Sequence, residues 1–326
     1  MSTQIVNLSN WHPTDDERRA LMDEIGELAR RRNAIILAHN YQASDVQDVA
    51  HFVGDSLGLA LEAQKTDADL IVFCGVHFMA ESAKILNPEK KVLLPNLSAG
   101  CSLADSITPE SLEEWMKRYP GHAVVTYVNS TADVKAMSDI CCTSANAVAV
   151  IRSLTGDKIL FTPDRNLGNW VKKQVPEKEI VVYDGACPTH DVLRGANVTK
   201  ARSAFPDSVV IAHPECREDI IALADEVCST TAMLSRIAKY PEVKTFIVAT
   251  ESGIIHQMKK RYPDREFIMA DGCIGCRLHC PYMKMITLAD VKRSLVEDKF
   301  EINVDEDVME GARRALERMM AVPRDN

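Results

Sequence analysis

The fold is decided by three short apolar runs, each of which ends in polar residues. They read Ala34-Ile35-Ile36-Leu37-Ala38-His39, Val124-Val125-Thr126-Tyr127-Val128-Asn129 and Val209-Val210-Ile211-Ala212-His213. Short apolar runs that alternate with stretches of helical periodicity are typical of βαβ units, whose parallel strands are buried on both faces. Ligands of such sheets bind beyond the carboxyl ends of the strands, so the polar residues that end these runs are candidates for a binding site.

The same pattern recurs three times along the chain. A hydroxyl residue follows the polar end of each run by 17 positions, namely Ser56 after His39, Ser144 after Tyr127 and Thr230 after His213. Prolines that precede a further strand recur at intervals of 88 and 87 residues, at Pro88, Pro176 and Pro263. This period is too long for a solenoid repeat and fits a small domain present in three copies.

The sequence therefore predicts three homologous α/β/α domains, each with a four-stranded parallel sheet, in a pseudo-threefold array. We expect the domains to cover residues 34–118, 119–203 and 204–285, with an N-terminal helical extension at 1–33 and a C-terminal helical segment at 286–326. Thr14 and Glu17 predict a capping box for a helix over 14–31, and a second amphipathic helix is expected over 305–320.

Ser56, Ser144 and Thr230 are predicted to be the N-cap residues of the helices that follow them. The N-terminus of a helix has free N–H groups and the positive end of its dipole, which suit a phosphate or a carboxylate. A purely structural capping role is the alternative for each of the three.

The composition is that of an ordinary globular protein, with 326 residues, 46% hydrophobic and 26% charged. A net charge of -9 argues against general nucleic-acid binding. The sequence contains no apolar run long enough to span a membrane and no pattern of a secretory signal, so we expect a cytoplasmic protein without a membrane partner. Ten cysteines in a reducing compartment favour metal binding over disulfides.

One cysteine follows the last strand of each copy, at spacings of 86 residues: Cys101, Cys187 and Cys273. Three thiolates that meet at a shared centre could hold a [4Fe–4S] cluster with one iron free to act as a Lewis acid. They could also hold zinc, with water or histidine as the fourth ligand. Two more cysteines, Cys276 and Cys280, follow Cys273 closely, whereas Cys74 and Cys228 are predicted to be buried core residues.

Several stretches resemble the quinolinate synthase family, in order along the chain and across all three copies. They are Ala38-His39-Asn40-Tyr41-Gln42, Val53-Gly54-Asp55-Ser56-Leu57, Gly75-Val76-His77-Phe78-Met79-Ala80-Glu81, Ala99-Gly100-Cys101-Ser102, Tyr127-Val128-Asn129, Thr143-Ser144-Ala145-Asn146-Ala147, Cys187-Pro188-Thr189-His190, His213-Pro214-Glu215-Cys216 and Cys280-Pro281-Tyr282-Met283-Lys284-Met285. The resemblance implies three α/β domains around a central [4Fe–4S] cluster, in agreement with the repeats.

The resemblance also implies a reaction and a cofactor. Iminoaspartate (iminosuccinate) condenses with dihydroxyacetone phosphate to give quinolinate, phosphate and water, a step of de novo NAD biosynthesis. The implied cluster ligands are Cys101, Cys187 and Cys280, and the open iron acts as a Lewis acid. The repeat spacing favours Cys273 as the third ligand, but we prefer Cys280 because the sequence Cys-Pro-Tyr-Met that it begins is specific.

By the same resemblance a set of polar residues lines the substrate site: His39, Ser56, Tyr127, Val128, Asn129, Ser144, His213, Pro214, Glu215 and Thr230. Tyr41, Glu215 and His190 are the candidates for proton transfer, because these side chains both donate and accept protons. A histidine at the end of a strand often has only a structural role, and this alternative stays open for His39 and His213.

Two further classes of function remain open on the sequence alone. The first is a zinc-stabilised binding protein without catalysis, and the second is an iron–sulfur redox sensor that presents a partner surface. The enzyme interpretation implies a functional link to the enzyme that supplies iminoaspartate, since this compound hydrolyses readily. We expect a monomer or a homodimer.

Overall fold

The computed structural model of the protein describes residues 14–271 and 278–325. The strands in these ranges are β1 (Ala34–His39), β2 (Phe52–Gly54), β3 (Leu70–Cys74), β4 (Lys91–Leu93), β5 (Ala123–Tyr127), β6 (Ile140–Cys142), β7 (Lys158–Thr162), β8 (Glu179–Val182), β9 (Val209–Ala212), β10 (Glu226–Val227), β11 (Thr245–Ala249) and β12 (Glu266–Met269). The helices are α1 (Asp15–Arg31), α2 (Ser44–Val49), α3 (Ser56–Lys65), α4 (His77–Leu86), α5 (Pro109–Arg118), α6 (Ala132–Ala136), α7 (Ala147–Ser153), α8 (Arg165–Gln174), α9 (Pro188–Asp191), α10 (Gly195–Ala204), α11 (Glu218–Ile221), α12 (Thr230–Arg236), α13 (Ile254–Arg261), α14 (Leu288–Glu297) and α15 (Glu306–Met320).

The strands form three parallel sheets of four strands with one shared topology. The strand orders are β2-β1-β3-β4, β6-β5-β7-β8 and β10-β9-β11-β12. The two middle strands of each sheet are apolar and buried almost throughout, because helices cover both faces. This confirms the predicted fold class of three homologous four-stranded parallel α/β sheets.

The strand order explains where a ligand can bind. The first strand of each sheet lies between the second strand on one side and the third on the other, so the chain reverses its winding beside the first strand. Such a switch point opens a crevice at the carboxyl end of a parallel sheet. His39 ends β1, Tyr127 ends β5 and His213 directly follows β9, so all three lie at this position.

The helices outside the repeats pack against them. The capping box of α1 is confirmed, with the Glu17 N–H 3.3 Å from Thr14 Oγ1 and the Thr14 N–H 2.8 Å from Glu17 Oε2. Helices α1 and α14 pack together on the first sheet, whereas α15 lies against α4, α6 and β6. The segment after α15 thereby runs beside the first and second copies. None of the helices in the described ranges has the length and apolarity needed to cross a membrane.

The helices that follow the second strand of each sheet begin differently from the prediction. Their N-cap residues are Asp55 for α3, Asn146 for α7 and Ser229 for α12, so the predicted caps Ser56, Ser144 and Thr230 are wrong. The Asp55 carboxylate accepts the Gly58 N–H at 2.8 Å, which occupies the capping position of α3. Because other side chains take the N-cap positions, the three predicted hydroxyls are left to face the cavity described below.

Candidate active site

A cavity lies where the carboxyl ends of the three sheets meet. Its lining contains most of the predicted substrate-binding residues: His39, Ser56, Tyr127, Asn129, Ser144, His213, Glu215 and Thr230. The other predicted catalytic residues and the predicted ligands line the same cavity: Tyr41, His190, Cys101, Cys187 and Cys280. The structure thus brings together residues that are up to 241 positions apart in the sequence.

Two predicted substrate-binding residues lie beside this cavity and not in its lining. Pro214 is buried between two residues that do line it. Val128 lines a small apolar void with Phe73 and Leu316 on the other side of its strand end. The neighbours Tyr127 and Asn129 face the cavity, as expected for a chain that alternates its side chains between two sides.

Glu215 is held between two buried histidines. Its Oε2 atom lies 3.1 Å from Nδ1 of His190 and 3.2 Å from Nδ1 of His213. His213 reaches across to the second sheet, where its Nε2 atom lies 3.0 Å from Ser144 Oγ. Glu215 is 3% exposed and both histidines are also buried, so this carboxylate depends on these partners in place of water.

The environment separates the protonation states of these groups. Burial lowers the pKa of His190 to about 4, although the nearby Glu215 acts in the opposite direction. Burial acts to raise the pKa of Glu215, but His190, His213 and a hydrogen bond from Tyr127 outweigh it and lower this pKa to about 2. At neutral pH the cluster therefore contains an ionised carboxylate and a neutral His190.

Thr250 connects two of the predicted catalytic residues. Its Oγ1 atom lies 2.5 Å from the Tyr41 hydroxyl and 2.9 Å from Nε2 of His190. The Nδ1 atom of His190 has its hydrogen-bond contact with Cys187 Sγ at 3.2 Å and lies 3.1 Å from Glu215 Oε2. If Nδ1 holds the proton of the neutral ring, Nε2 accepts from Thr250, and Thr250 accepts from Tyr41. With this tautomer, hydrogen bonds run from Tyr41 through Thr250 to His190, whose Nδ1 atom lies 3.1 Å from the Glu215 carboxylate.

His39 has a defined tautomer. Its Nδ1 atom accepts the backbone N–H of Tyr41 at 3.1 Å, so a neutral ring has its proton on Nε2. Burial lowers the pKa of His39 to about 4, with Asp55 acting in the opposite direction, so the ring is neutral at pH 7. Since His39 lines the cavity, it can offer an uncharged N–H donor to a ligand.

The three predicted cysteine ligands lie together in the cavity wall. Burial raises the pKa of Cys101 to about 12, and it also raises the pKa values of Cys187 and Cys280. The electrostatic effect of Cys280 raises the pKa of Cys101 as well. Thiols in this state stay protonated unless a cation lies beside them, and a bound metal deprotonates a coordinating thiol. Three thiols around one cavity therefore fit the donor set of an iron–sulfur cluster. Cys273 and Cys276 lie outside the described residues.

A second donor set overlaps with the first. Single ligand atoms of Cys187, His190 and Glu215 lie within 4.8 Å of one another. In addition, Cys187 Sγ is 3.2 Å from Nδ1 of His190. A thiol, an imidazole and a carboxylate are also ligand types of zinc, so this group is compatible with the alternative of a zinc site.

Several residues of the cavity wall were not among the predicted site residues. They include Asp55, Phe78, Met79, Thr143, Thr189, Glu251 and Met283. Glu251 accepts the Cys280 N–H at 3.1 Å and lies 3.1 Å from Nζ of Lys284, so it fixes the backbone of a predicted ligand. Thr250 and Glu251 directly follow β11, and the rule of polar residues at strand ends could have found both had it been applied to the third strand of each copy.

Lys135 packs against Phe78, a residue of the cavity wall, without lining the cavity itself. It is fully buried, and its Nζ atom donates to the Ser130 carbonyl at 2.5 Å and lies 5.2 Å from the centre of the Phe78 ring. Burial lowers the pKa of Lys135, while the negative charge of Glu81 opposes this effect. The contact joins helix α6 of the second copy to helix α4 of the first.

The fold and the cavity define a class of α/β proteins in which three copies of one sheet share a cavity lined by histidines, hydroxyls and cysteines. A family model described as "Quinolinate synthetase A protein" matches residues 23–321. The chain is 50% identical over 298 residues to the quinolinate synthase of Caldicellulosiruptor saccharolyticus, covering 91% of this chain and 96% of the relative. It is 48% identical over 301 residues to that of Thermodesulfovibrio yellowstonii, with 92% and 98% covered. It is 51% identical over 302 residues to that of Geotalea uraniireducens, with 93% and 97% covered. The chain belongs to the quinolinate synthase family.

Proposed function

We propose that the protein is a quinolinate synthase of NAD biosynthesis that condenses iminoaspartate with dihydroxyacetone phosphate. The products are quinolinate, phosphate and two molecules of water. The observation that carries this proposal is the single cavity in which polar residues of all three sheets lie beside three cysteines. The names of the relatives support the same activity.

Both substrates are anions, and the cavity offers neutral donors to them. The hydroxyls of Ser56, Ser144 and Thr230, the amide of Asn129 and the Nε2–H of His39 are in its lining. Carboxylate and phosphate oxygens accept hydrogen bonds from such groups, and bonds to charged acceptors are stronger than neutral ones. We propose that the donors from the three sheets hold the two substrates against each other, which is the entropic part of catalysis.

Proton transfer is the role proposed for Tyr41, His190 and Glu215. The condensation removes protons from carbon and nitrogen and returns protons to the leaving oxygen atoms. The hydrogen bonds from Tyr41 through Thr250 can accept a substrate proton at the Tyr41 oxygen and pass a proton to Nε2 of His190. The Nδ1 atom of His190, 3.1 Å from the Glu215 carboxylate, can then give its proton to Glu215. A Glu215 carboxyl protonated in this way can give its proton to a hydroxyl that departs as water.

Cys101, Cys187 and Cys280 are the residues proposed to hold a [4Fe–4S] cluster. When bound, an open iron supplies Lewis-acid polarisation of a substrate oxygen. The buried, protonated thiols fit this group because each would be stabilised as a thiolate by a cation. The group of Cys187, His190 and Glu215 favours zinc as the competing metal and a binding protein as the competing function.

The remaining features of the proposal follow the repeats and the chemistry. We propose that residues 34–118, 119–203 and 204–285 are the three domains, flanked by helical segments at 1–33 and 286–326. The protein is proposed to act in the cytoplasm as a monomer or homodimer, without nucleic-acid or membrane partners. It depends functionally on an enzyme that produces iminoaspartate, because that substrate is short-lived in water.

Anaerobic purification followed by metal analysis and an assay tests the proposal. We expect about four irons and four sulfides per chain, a visible absorbance band and quinolinate formation from the two substrates. One zinc per chain without colour, even after reconstitution with iron and sulfide, would contradict the cluster. If the fully reconstituted protein formed no quinolinate from the two substrates, the proposed enzymatic function would be contradicted.

A further inference from the structure

The segment that follows α15 runs across the starts of two helices at the cavity. Its residues are 321–325, here called the 321–325 segment. Together with the starts of α7 and α12, it lines a groove that reaches Ser144. The segment contacts the first copy through Arg324 and the second copy through Asp325. None of the mechanism described above uses these two side chains.

Arg324 binds Asp55, the N-cap residue of α3, through two hydrogen bonds. Its two terminal nitrogens lie 2.6 and 2.8 Å from the two carboxylate oxygens of Asp55. Asp55 is buried and also accepts the Gly58 N–H, and Ser56 is the next residue. Burial acts to raise the pKa of Asp55, but the hydrogen bonds and the charge of Arg324 lower it, so the carboxylate is ionised at neutral pH. A paired, two-point contact between arginine and carboxylate fixes orientation as well as distance.

Asp325 forms hydrogen bonds with the start of α7 in the second copy. Its carboxylate accepts the N–H of Val148 at 3.1 Å and the N–H of Ala149 at 2.8 Å. Its own N–H lies 2.6 Å from the carbonyl oxygen of Ala145, which directly follows Ser144. Asp325 thus supplies the side-chain cap that Asn146, the N-cap residue of α7, does not provide.

Asn146 ties the same turn to the end of α15. Its side-chain nitrogen donates to the carbonyl of Met319 at 3.0 Å, and its side-chain oxygen accepts the Thr143 N–H at 2.9 Å. The 143–146 turn therefore has contacts to α15 and to the segment behind it. Adjacent residues 324 and 325 hold one helix start each, so they set the distance between the two starts.

We propose that Arg324 and Asp325 are positioning residues of the active site, which hold Ser56 of the first copy and Ser144 of the second at a fixed separation for the two anionic substrates. The inference rests on the proposed function, since it assigns these serines to substrate binding. Binding groups must be held to within about 0.5 Å of their productive geometry, and a two-point clamp on two helix starts provides such precision.

Three substitutions and one matched control test this role in the cluster-containing protein. Arg324→Gln and Asp325→Asn remove the clamps, and Arg324→Lys restores a cation without the two-point geometry. Arg318→Ala is the control, because Arg318 lies at the end of α15, just before the 321–325 segment, but donates to the Asp139 carbonyl before β6, at the opposite end of the sheet. All four variants are compared with the wild type for quinolinate formation and for amide hydrogen exchange at 55–58 and 145–149.

We expect Arg324→Gln and Asp325→Asn to raise the KM for dihydroxyacetone phosphate about tenfold while kcat stays within about threefold, because substrate positioning and not chemistry is lost. Arg324→Lys should recover part of the KM, and amide exchange should accelerate only at the helix start whose clamp is removed. An unchanged KM and unchanged exchange in Arg324→Gln, equal to Arg318→Ala, would overturn the inference. An inactive wild type would instead overturn the proposed function.

Discussion

The Nδ1 atom of His190 lies 3.1 Å from the Oε2 atom of Glu215, and both side chains are buried at the end shared by three sheets. An ionised carboxylate in this place is stabilised by two imidazoles in place of water. His190 also ends the hydrogen-bond chain that starts at Tyr41 and passes through Thr250. The Glu215 carboxylate is therefore both the buried negative charge of the site and its proposed proton acceptor.

The charge of Glu215 can be removed with little change in its shape. We expect Glu215→Gln to lower kcat for quinolinate formation by about 100-fold or more, because an amide cannot store the transferred proton. Glu218→Gln is the matched control, since Glu218 is exposed and its carboxylate contacts only Lys173 among the described ion pairs. Equal activity of the two variants, measured at saturating substrate, would remove Glu215 from the mechanism.

The bridging hydroxyl of Thr250 makes a second test possible. Thr250→Val keeps the size of the side chain and removes the link between Tyr41 and His190, and we expect kcat to fall about 10- to 100-fold. Thr250→Ser retains the hydroxyl and should stay within about threefold of the wild type. The ratio of the kcat values of the two variants, measured at several pH values, gives the contribution of the hydroxyl. A Val variant as active as the Ser variant would show that protons take another route.

The repeated spacing was sufficient to predict three parallel sheets and a site at their carboxyl ends. His39, Tyr127 and His213 mark equivalent strand ends, and the parallel topology leaves them one edge at which to meet. Because all three copies use the same order of strands, this single periodic signal located most of the cavity. The resemblance to a family then selected the individual residues.

Other features depend on contacts that a linear pattern does not contain. The caps of α3 and α12 are Asp55 and Ser229, each one residue before the predicted hydroxyl, and both sequences contain two adjacent residues able to cap. Which of the two caps is decided by tertiary partners, such as Arg324 on Asp55. Arg324 is 269 positions from Asp55, so no local pattern could connect them.

The cysteines can be tested without an activity assay. We expect Cys101→Ala, Cys187→Ala and Cys280→Ala each to lose the iron, the sulfide and the visible absorbance of the anaerobically reconstituted protein. Cys74→Ala should keep them, since Cys74 is fully buried in β3 and lies outside the cavity lining. A protein that retains its cluster in Cys280→Ala and loses it in Cys273→Ala would show that the repeat spacing, and not the family motif, identifies the third ligand.

The pKa of His39 gives a prediction for the acid stability of the fold. Burial holds this pKa at about 4 against an ordinary value of 6.5, opposed by Asp55 and Glu215 and assisted by His213 and Lys284. Between these two values the unfolded chain binds a proton that the folded protein does not, so unfolding becomes easier as the pH falls from about 6.5 to about 4. We expect His39→Asn to lose less unfolding free energy than the wild type between pH 7 and pH 5, by on the order of 1–2 kcal/mol, because asparagine can still accept the Tyr41 N–H but does not titrate. Urea unfolding of both proteins at the two pH values measures this difference. Parallel losses in the two proteins would show that folding does not lower the pKa of His39.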